Sequence, residues 1–150
     1  MKKLATTVLA GAVVSLFVVA FAPAAAQETY KVSAALTVRA EVPASKGAPL
    51  ARGTFTGSYV ENKTGGVLTW KLTFSHLSGA AGAAHIHGGK PGVAGPVIVP
   101  LCGPCRSGQV KSVKITKATI AALEGGRAYV NVHTAKNAAG EIRGQVKVTE

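Results

Sequence analysis

Alternation with period two constrains this chain more than any other feature. Tyr30, Val32, Ala34, Leu36 and Val38 alternate with Lys31, Ser33, Ala35, Thr37 and Arg39. Gly53, Phe55, Gly57 and Tyr59 alternate in the same way with Arg52, Thr54, Thr56 and Ser58. Leu68, Trp70, Leu72 and Phe74, set against Thr69, Lys71 and Thr73, form the clearest apolar face. Side chains two apart on an extended strand share a face, so each run predicts a half-buried strand. Pro43, Ser45, Gly47 and Pro49 mark a loop after the first run. Asn62-Lys63-Thr64-Gly65-Gly66 is hairpin-turn chemistry, because Gly supplies the positive φ that tight turns need. The first half therefore reads as strand, loop and hairpin.

The second half is built of shorter runs. Residues 83–87, 96–101, 109–115, 128–133 and 141–148 predict strands, with Gly-rich loops at 79–82, 88–95 and 135–140. Residues 117–123 carry the single helical suggestion, with Ile120 and Leu123 three apart, Thr116 as cap and Gly125-Gly126 as stop. That helix would have about two turns. Roughly eight short strands and one short helix predict an all-β antiparallel sandwich or barrel.

The chain begins Met1-Lys2-Lys3, runs apolar over 4–22 and reaches Ala24-Ala25-Ala26. A positive start, an apolar stretch and an Ala-x-Ala end predict a secretory signal peptide over 1–26 and one domain over 27–150. The apolar run has the length of a membrane anchor, but a polar Gln27-Glu28-Thr29 follows it and no basic stop-transfer cluster does. The expected location is secreted or periplasmic, with no membrane span after cleavage. Without Lys2 and Lys3 the net charge falls from +11 to about +9, and all 6 acids are Glu. Such a surface suits an extracytoplasmic protein or an acidic envelope component as partner. The basic residues are scattered and aromatics make up 5% of the chain, so nucleic acid is not expected.

Candidate chemistry centres on Ala84-His85-Ile86-His87-Gly88-Gly89. His85 and His87 share a strand face. His133, in Tyr129-Val130-Asn131-Val132-His133-Thr134, joins them if the two strands are neighbours. Imidazole suits Cu, Zn, Ni and Fe, and three histidines with an open position also occur in hydrolytic zinc sites. The alternative is structural: histidines bonded to the loops around Asn131, Thr134 and Glu141. His76 reads as an exposed strand end, with a role as fourth ligand the lesser option. Cys102-Gly103-Pro104-Cys105 spells the thioredoxin motif, but no helix start follows it and no βαβ pattern exists. A short disulfide, two thiols and a soft Cu(I) pair remain as its alternatives. Glu141 and Arg143, two apart, are expected to pair. No nucleophile–base–acid constellation and no phosphate-cradling loop stands out, so no catalytic residue is assigned and an enzyme reading rests on the metal alone.

The second half resembles the CHRD domain, the module first named in chordin. The likeness rests on His85-Ile86-His87-Gly88, Gly92-Val93-Ala94-Gly95-Pro96-Val97, Ile120-Ala121-Ala122-Leu123, Tyr129 to Thr134, and Gly140-Glu141-Ile142-Arg143-Gly144-Gln145. Trp70 to Phe74 and Leu77-Ser78-Gly79 fit its earlier part more loosely, and Ala138 stands where a Pro commonly follows the loop's Asn. The resemblance implies an immunoglobulin-like β-sandwich, found in animals within an extracellular growth-factor antagonist. It is also faintly similar to copper/zinc superoxide dismutase, with a His-x-His strand before a Gly-Pro loop and a later histidine. Val97 occupies the place of that enzyme's bridging histidine, and the zinc site's aspartate has no counterpart in a chain without Asp. The likeness implies a metal-binding module at His85, His87 and His133, copper favoured and zinc the alternative. A metal-free protein- or matrix-interaction domain ranks second, and a redox or dismutase-like enzyme last.

Overall fold

The computed structural model describes residues 27–150, so the expected signal peptide lies outside the described residues. In chain order these are β1 (Thr29–Thr37), a 3-10 turn (Val38–Ala40), β2 (Arg52–Asn62), β3 (Gly65–Ser75), β4 (Ala81–Gly88) and β5 (Val97–Cys102). There follow β6 (Gln109–Thr116), α1 (Lys117–Glu124), β7 (Ala128–Thr134), β8 (Ile142–Gln145) and β9 (Lys147–Thr149). All pairings are antiparallel, in the order β5-β4-β7-β8-β1-β2-β3-β6, with β9 added beside β1. The two ends of this ladder, β5 and β6, come near each other, so the sheet curls into a nearly closed barrel. The all-β antiparallel fold with one short helix is thus as the sequence predicts. No helix among the described residues is long and apolar enough to cross a membrane.

The core fills the barrel. Phe55, Tyr59, Leu68, Trp70, Leu72, Ile86, Val130, Val132 and Ile142 are buried there, each contributed by the apolar set of an alternating strand. The β2–β3 turn is closed by Asn62, whose Oδ1 accepts from the backbone N–H of both Thr64 and Gly65 at 3.0 Å. A Cβ on Gly65 would lie 2.1 Å from the Ile115 carbonyl oxygen, so the turn needs its glycine. Thr116 caps α1 by accepting from the Thr119 N–H at 3.1 Å, and Ile120 and Leu123 pack inward.

Two boundaries differ from the sequence reading. Val38 and Arg39 leave the first strand and wind into the 3-10 turn, whose cap is the Thr37 hydroxyl. The strand predicted over 141–148 is two: β8 pairs with β7 and, at one position, with β1, whereas β9 pairs only with β1. Buried Val146 sits at the break, donating its N–H to the Ala128 carbonyl at 2.9 Å. The alternation of Ile142, Gly144, Val146 and Val148 runs straight through the change of partner, and so hides it.

On β4, Ala84 and Ile86 face the core. His85 and His87 therefore face outward. On β7, Val130 and Val132 face the core and Tyr129, Asn131 and His133 face outward. β4 and β7 are neighbours, with His85 opposite Asn131, His87 opposite Tyr129 and Ala83 opposite His133. The outer face of β4 and β7 consequently collects all three histidines.

Candidate metal centre

The three imidazoles converge. One ring nitrogen from each of His85, His87 and His133 lies within 4.8 Å of the other two, and all three side chains are half-buried. His85 Nδ1 and His133 Nε2 are 3.1 Å apart. Two nitrogens each about 2.0–2.1 Å from one tetrahedral ion stand roughly 3.4 Å apart, so this pair is already at ligating distance. The third nitrogen, within 4.8 Å of the others, has to close in by about 1.4 Å at most.

Backbone carbonyls decide which nitrogens are free. His87 Nδ1 donates to the Gly95 carbonyl at 2.9 Å, and His133 Nδ1 donates to the Ala138 carbonyl at 3.0 Å. A carbonyl only accepts, so both Nδ1 atoms carry the proton and both Nε2 atoms keep a lone pair. Metal-bound histidines characteristically donate their other ring N–H in this way, which fixes ring and tautomer. His87 Nε2 is buried and has no hydrogen-bond partner among the described residues. His133 Nε2 can only accept, so His85 Nδ1 donates to it across their 3.1 Å contact and must pass its proton to its own Nε2 before it can ligate. With that tautomer shift the residues present fit a metal on their donor chemistry: three nitrogens and no oxygen or sulfur.

Charge acts in the same direction. Burial holds the His85 imidazole below its ordinary range, helped by the nearby His87. Burial likewise lowers His133; its bond to Ala138 opposes this in part, and His85 and His87 reinforce it. Neutral rings keep the lone pairs that a metal needs.

The supports come from the 88–95 and 135–140 loops, whose carbonyls the sequence reading did not connect to the rings. The Gly88 N–H donates to Pro96 at 2.9 Å, and Gly95 lies so close that a Cβ there would stand 1.6 Å from the Gly88 oxygen. Gly95 N–H also donates to the Tyr129 hydroxyl at 3.0 Å. The Tyr129 ring stacks on His87 with centroids 5.0 Å apart and 9° between planes, and the Arg143 guanidinium lies 3.4 Å from its centroid. Arg143 donates to the carbonyls of Lys90 at 3.0 Å and Val93 at 2.9 Å. Period two had placed Tyr129 on the face of His133, so that stack was within reach of the sequence.

Other expectations resolve individually. His76 is exposed, has φ of 59° and does not join the cluster, so it is no fourth ligand. Cys102 and Cys105 form a disulfide with Cα atoms 5.2 Å apart, which removes both the dithiol and the Cu(I) alternatives in this state. Glu141 does not pair with Arg143. Its carboxylate accepts instead from the Ser78 N–H and hydroxyl, the Thr134 hydroxyl and, at 2.9 Å, the Asn137 amide. Glu141 lies just before β8 and turns beneath the 135–140 loop, so the shared-face argument does not apply to it. Of the bonds that the structural alternative expected to the loops around Asn131, Thr134 and Glu141, His133 makes one, to Ala138 between Thr134 and Glu141, whereas His87 bonds to Gly95 and His85 to His133.

A search of curated proteins and one of solved structures returned no match. The family model of the CHRD domain matches residues 32–146, which is most of the chain and includes every residue of the histidine cluster. The chain therefore belongs to the CHRD domain family.

Proposed function

We propose that this CHRD domain is a binding module that holds one transition-metal ion through His85 Nδ1, His87 Nε2 and His133 Nε2, with copper preferred to zinc. The observation that carries the reading is the convergence of three ring nitrogens, one of them buried with nothing to accept. An unsatisfied buried polar atom costs about 1–3 kcal/mol, which a bound cation would relieve. A nitrogen-only set disfavours Mg and Ca, and among divalent ions Cu binds such sites most tightly. The likeness to the dismutase points the same way, while Val97 and the absence of Asp argue against a two-metal enzyme. The module works outside the cytoplasm in this reading, supported by the sequence of residues 1–26 and by a disulfide suited to an oxidising compartment.

The test is metal titration of protein purified from the periplasm of an expressing host and stripped with chelator. Wild type takes up one Cu(II) per chain, with nitrogen couplings in its paramagnetic resonance spectrum, and a His85→Ala/His87→Ala double variant loses at least about a hundredfold in affinity. Equal binding by both proteins, or none by wild type, sinks the proposal. The 3.1 Å bond between His85 and His133, which satisfies both atoms without a metal, favours a second reading as a metal-free interaction domain. Under that reading a captured partner stays bound in chelator.

A further inference from the structure

The sheet has a second outward face, on the strands away from the histidines. Across β9, β1, β2 and β3 one row reads Lys147, Ser33, Thr56, Lys71, by direct register. The next row, reaching β6, reads Thr149, Lys31, Ser58, Thr69, Ser112. Beyond the first row lie Thr54 beside Thr73, then Arg52. These positions alternate with the core set of each strand, so they point outward. Nearly all are exposed, and hydroxyls pair across strands: Thr54 with Thr73 at 2.6 Å and Thr69 with Ser112 at 2.8 Å.

None of the 6 acidic residues in the chain lies in these rows. Glu41 and Glu141 are buried. Glu28 and Glu150 line one depression with Tyr30, Glu124 shares another with Glu150 at the Thr149 end of the second row, and Glu61 is paired with Lys117 at 2.8 Å. The charged groups of these rows are thus cationic, and hydroxyls surround them. A depression of about 530 Å³ opens in it, lined by Ser33, Thr54, Thr56, Gln145 and Lys147 together with the apolar Ala34, Ala35 and Phe55. A second, of about 250 Å³, adjoins it at Thr54 and extends to Arg52.

We propose that this face of β9, β1, β2 and β3 binds an acidic polysaccharide, a chain that alternates carboxylate or sulfate groups with hydroxyls. Lys147 and Lys71 stand three strand spacings apart, roughly 14 Å, with Lys31 in the adjoining row. Anionic groups repeated along a polymer meet these ammoniums, and the sugar hydroxyls between them meet Ser33, Thr54 and Thr56. No aromatic side chain is exposed in the rows for bases to stack upon, so single-stranded nucleic acid fits less well. The exposed apolar side chains, Val67 and Val110, stand singly and offer no patch to enter a bilayer. The proposal is independent of the histidine site.

Immobilised heparin and polygalacturonate are the probes, with dextran as the neutral control and phosphatidylglycerol vesicles as the lipid control. The test variant is Lys31→Gln/Lys71→Gln/Lys147→Gln. Its charge-matched control, Lys46→Gln/Lys90→Gln/Lys136→Gln, removes three loop cations elsewhere. All six side chains are exposed, and unchanged melting curves confirm the fold. The expected result is binding to at least one acidic polymer at physiological salt, about tenfold weaker in the test variant and within about twofold of wild type in the control. Equal losses in both variants reduce the effect to net charge and overturn the proposal. So does failure to bind either polymer, or tighter binding to the vesicles with the same dependence on the three lysines.

Discussion

Two polar clusters adjoin the 135–140 loop, and they are built on opposite principles. One is the imidazole trio, which leans on the loop through the bond from His133 to the Ala138 carbonyl. The other is the carboxylate of Glu141, held by Ser78, Thr134 and Asn137. Around Glu141 several donors meet one ionised acceptor, no cation pairs with it among the described residues, and it is fully buried. Burial alone would push its pKa up, but those hydrogen bonds hold it below the usual carboxylate range. Around the histidines three groups that repel one another when protonated are gathered, and one nitrogen is left bare. A polar cluster that is complete holds a fold together, whereas one that is incomplete waits for something.

The largest expected effect breaks that contrast if it fails. Glu141→Gln puts two N–H donors where the surrounding groups already donate. It should cost about 3 kcal/mol, or roughly 10 °C in Tm, in the metal-free protein. His87→Ala in the same chelated state should cost no more than about 2 kcal/mol, since it removes an unsatisfied atom along with a bond to Gly95 and the stack on Tyr129. Thermal unfolding of the two variants compares them directly. A histidine variant that falls as far as the glutamate variant would make the trio structural.

How much of this was legible follows from the same two clusters. Period two on residues 83–87 and 128–133 placed the histidines on faces, and only the adjacency of β4 and β7 was left for the structure to supply. Period two misled for Glu141, which precedes β8 and follows Gly140, a residue with φ of 140°. A Cβ on Gly140 would meet the Asn131 amide at 2.4 Å and Glu41 at 2.7 Å, so close packing sets that bend. No local pattern announces it, because the neighbours are some 90 residues apart in sequence for the Glu41–Asn131 contact. The same holds for Val146, where alternation persists although the partner strand changes.

A smaller effect sharpens the comparison by setting a second carboxylate against the first. Glu41 is buried, and both its oxygens accept from the Asn131 amide, at 3.0 Å. Burial pushes its pKa up to about 7, against the opposing pull of Asn131 and Arg143. Between the ordinary 4.5 and about 7 the folded state binds the proton and the unfolded state does not, so this group's contribution falls as pH rises through that window. Glu141 has the opposite sign, because its stabilisation is present above the ordinary carboxylate value and lost as pH falls through its lowered one. Glu41's own contribution should therefore decline between pH 5 and 7.5 by on the order of 1–3 kcal/mol, opposed by His85 and His133, whose lowered pKa values make their contribution rise with pH toward the ordinary imidazole value. Glu41→Gln should remove that decline from the slope seen in urea titrations while leaving the acid limb in place. A slope unchanged by the substitution would remove Glu41 as a source.

The smallest effect tests whether the trio is closed to further ligands. His76 follows β3 at φ 59°, a left-handed conformation that costs a residue with a Cβ about 1 kcal/mol and glycine nothing. Its ring is exposed and it stands outside the cluster of His85, His87 and His133. His76→Gly should then raise stability by up to ~1 kcal/mol, the relieved strain being partly offset by the greater freedom of glycine in the unfolded chain. Metal affinity should stay within about twofold, because a ligand bond lost would cost well over tenfold. The two readouts are independent: the first reports the backbone alone, the second the coordination alone. A drop in affinity with the expected gain in stability would bring His76 into the site by a movement of the β3–β4 connection. It would also show that the incomplete cluster is completed from within the chain and not by solvent or a partner.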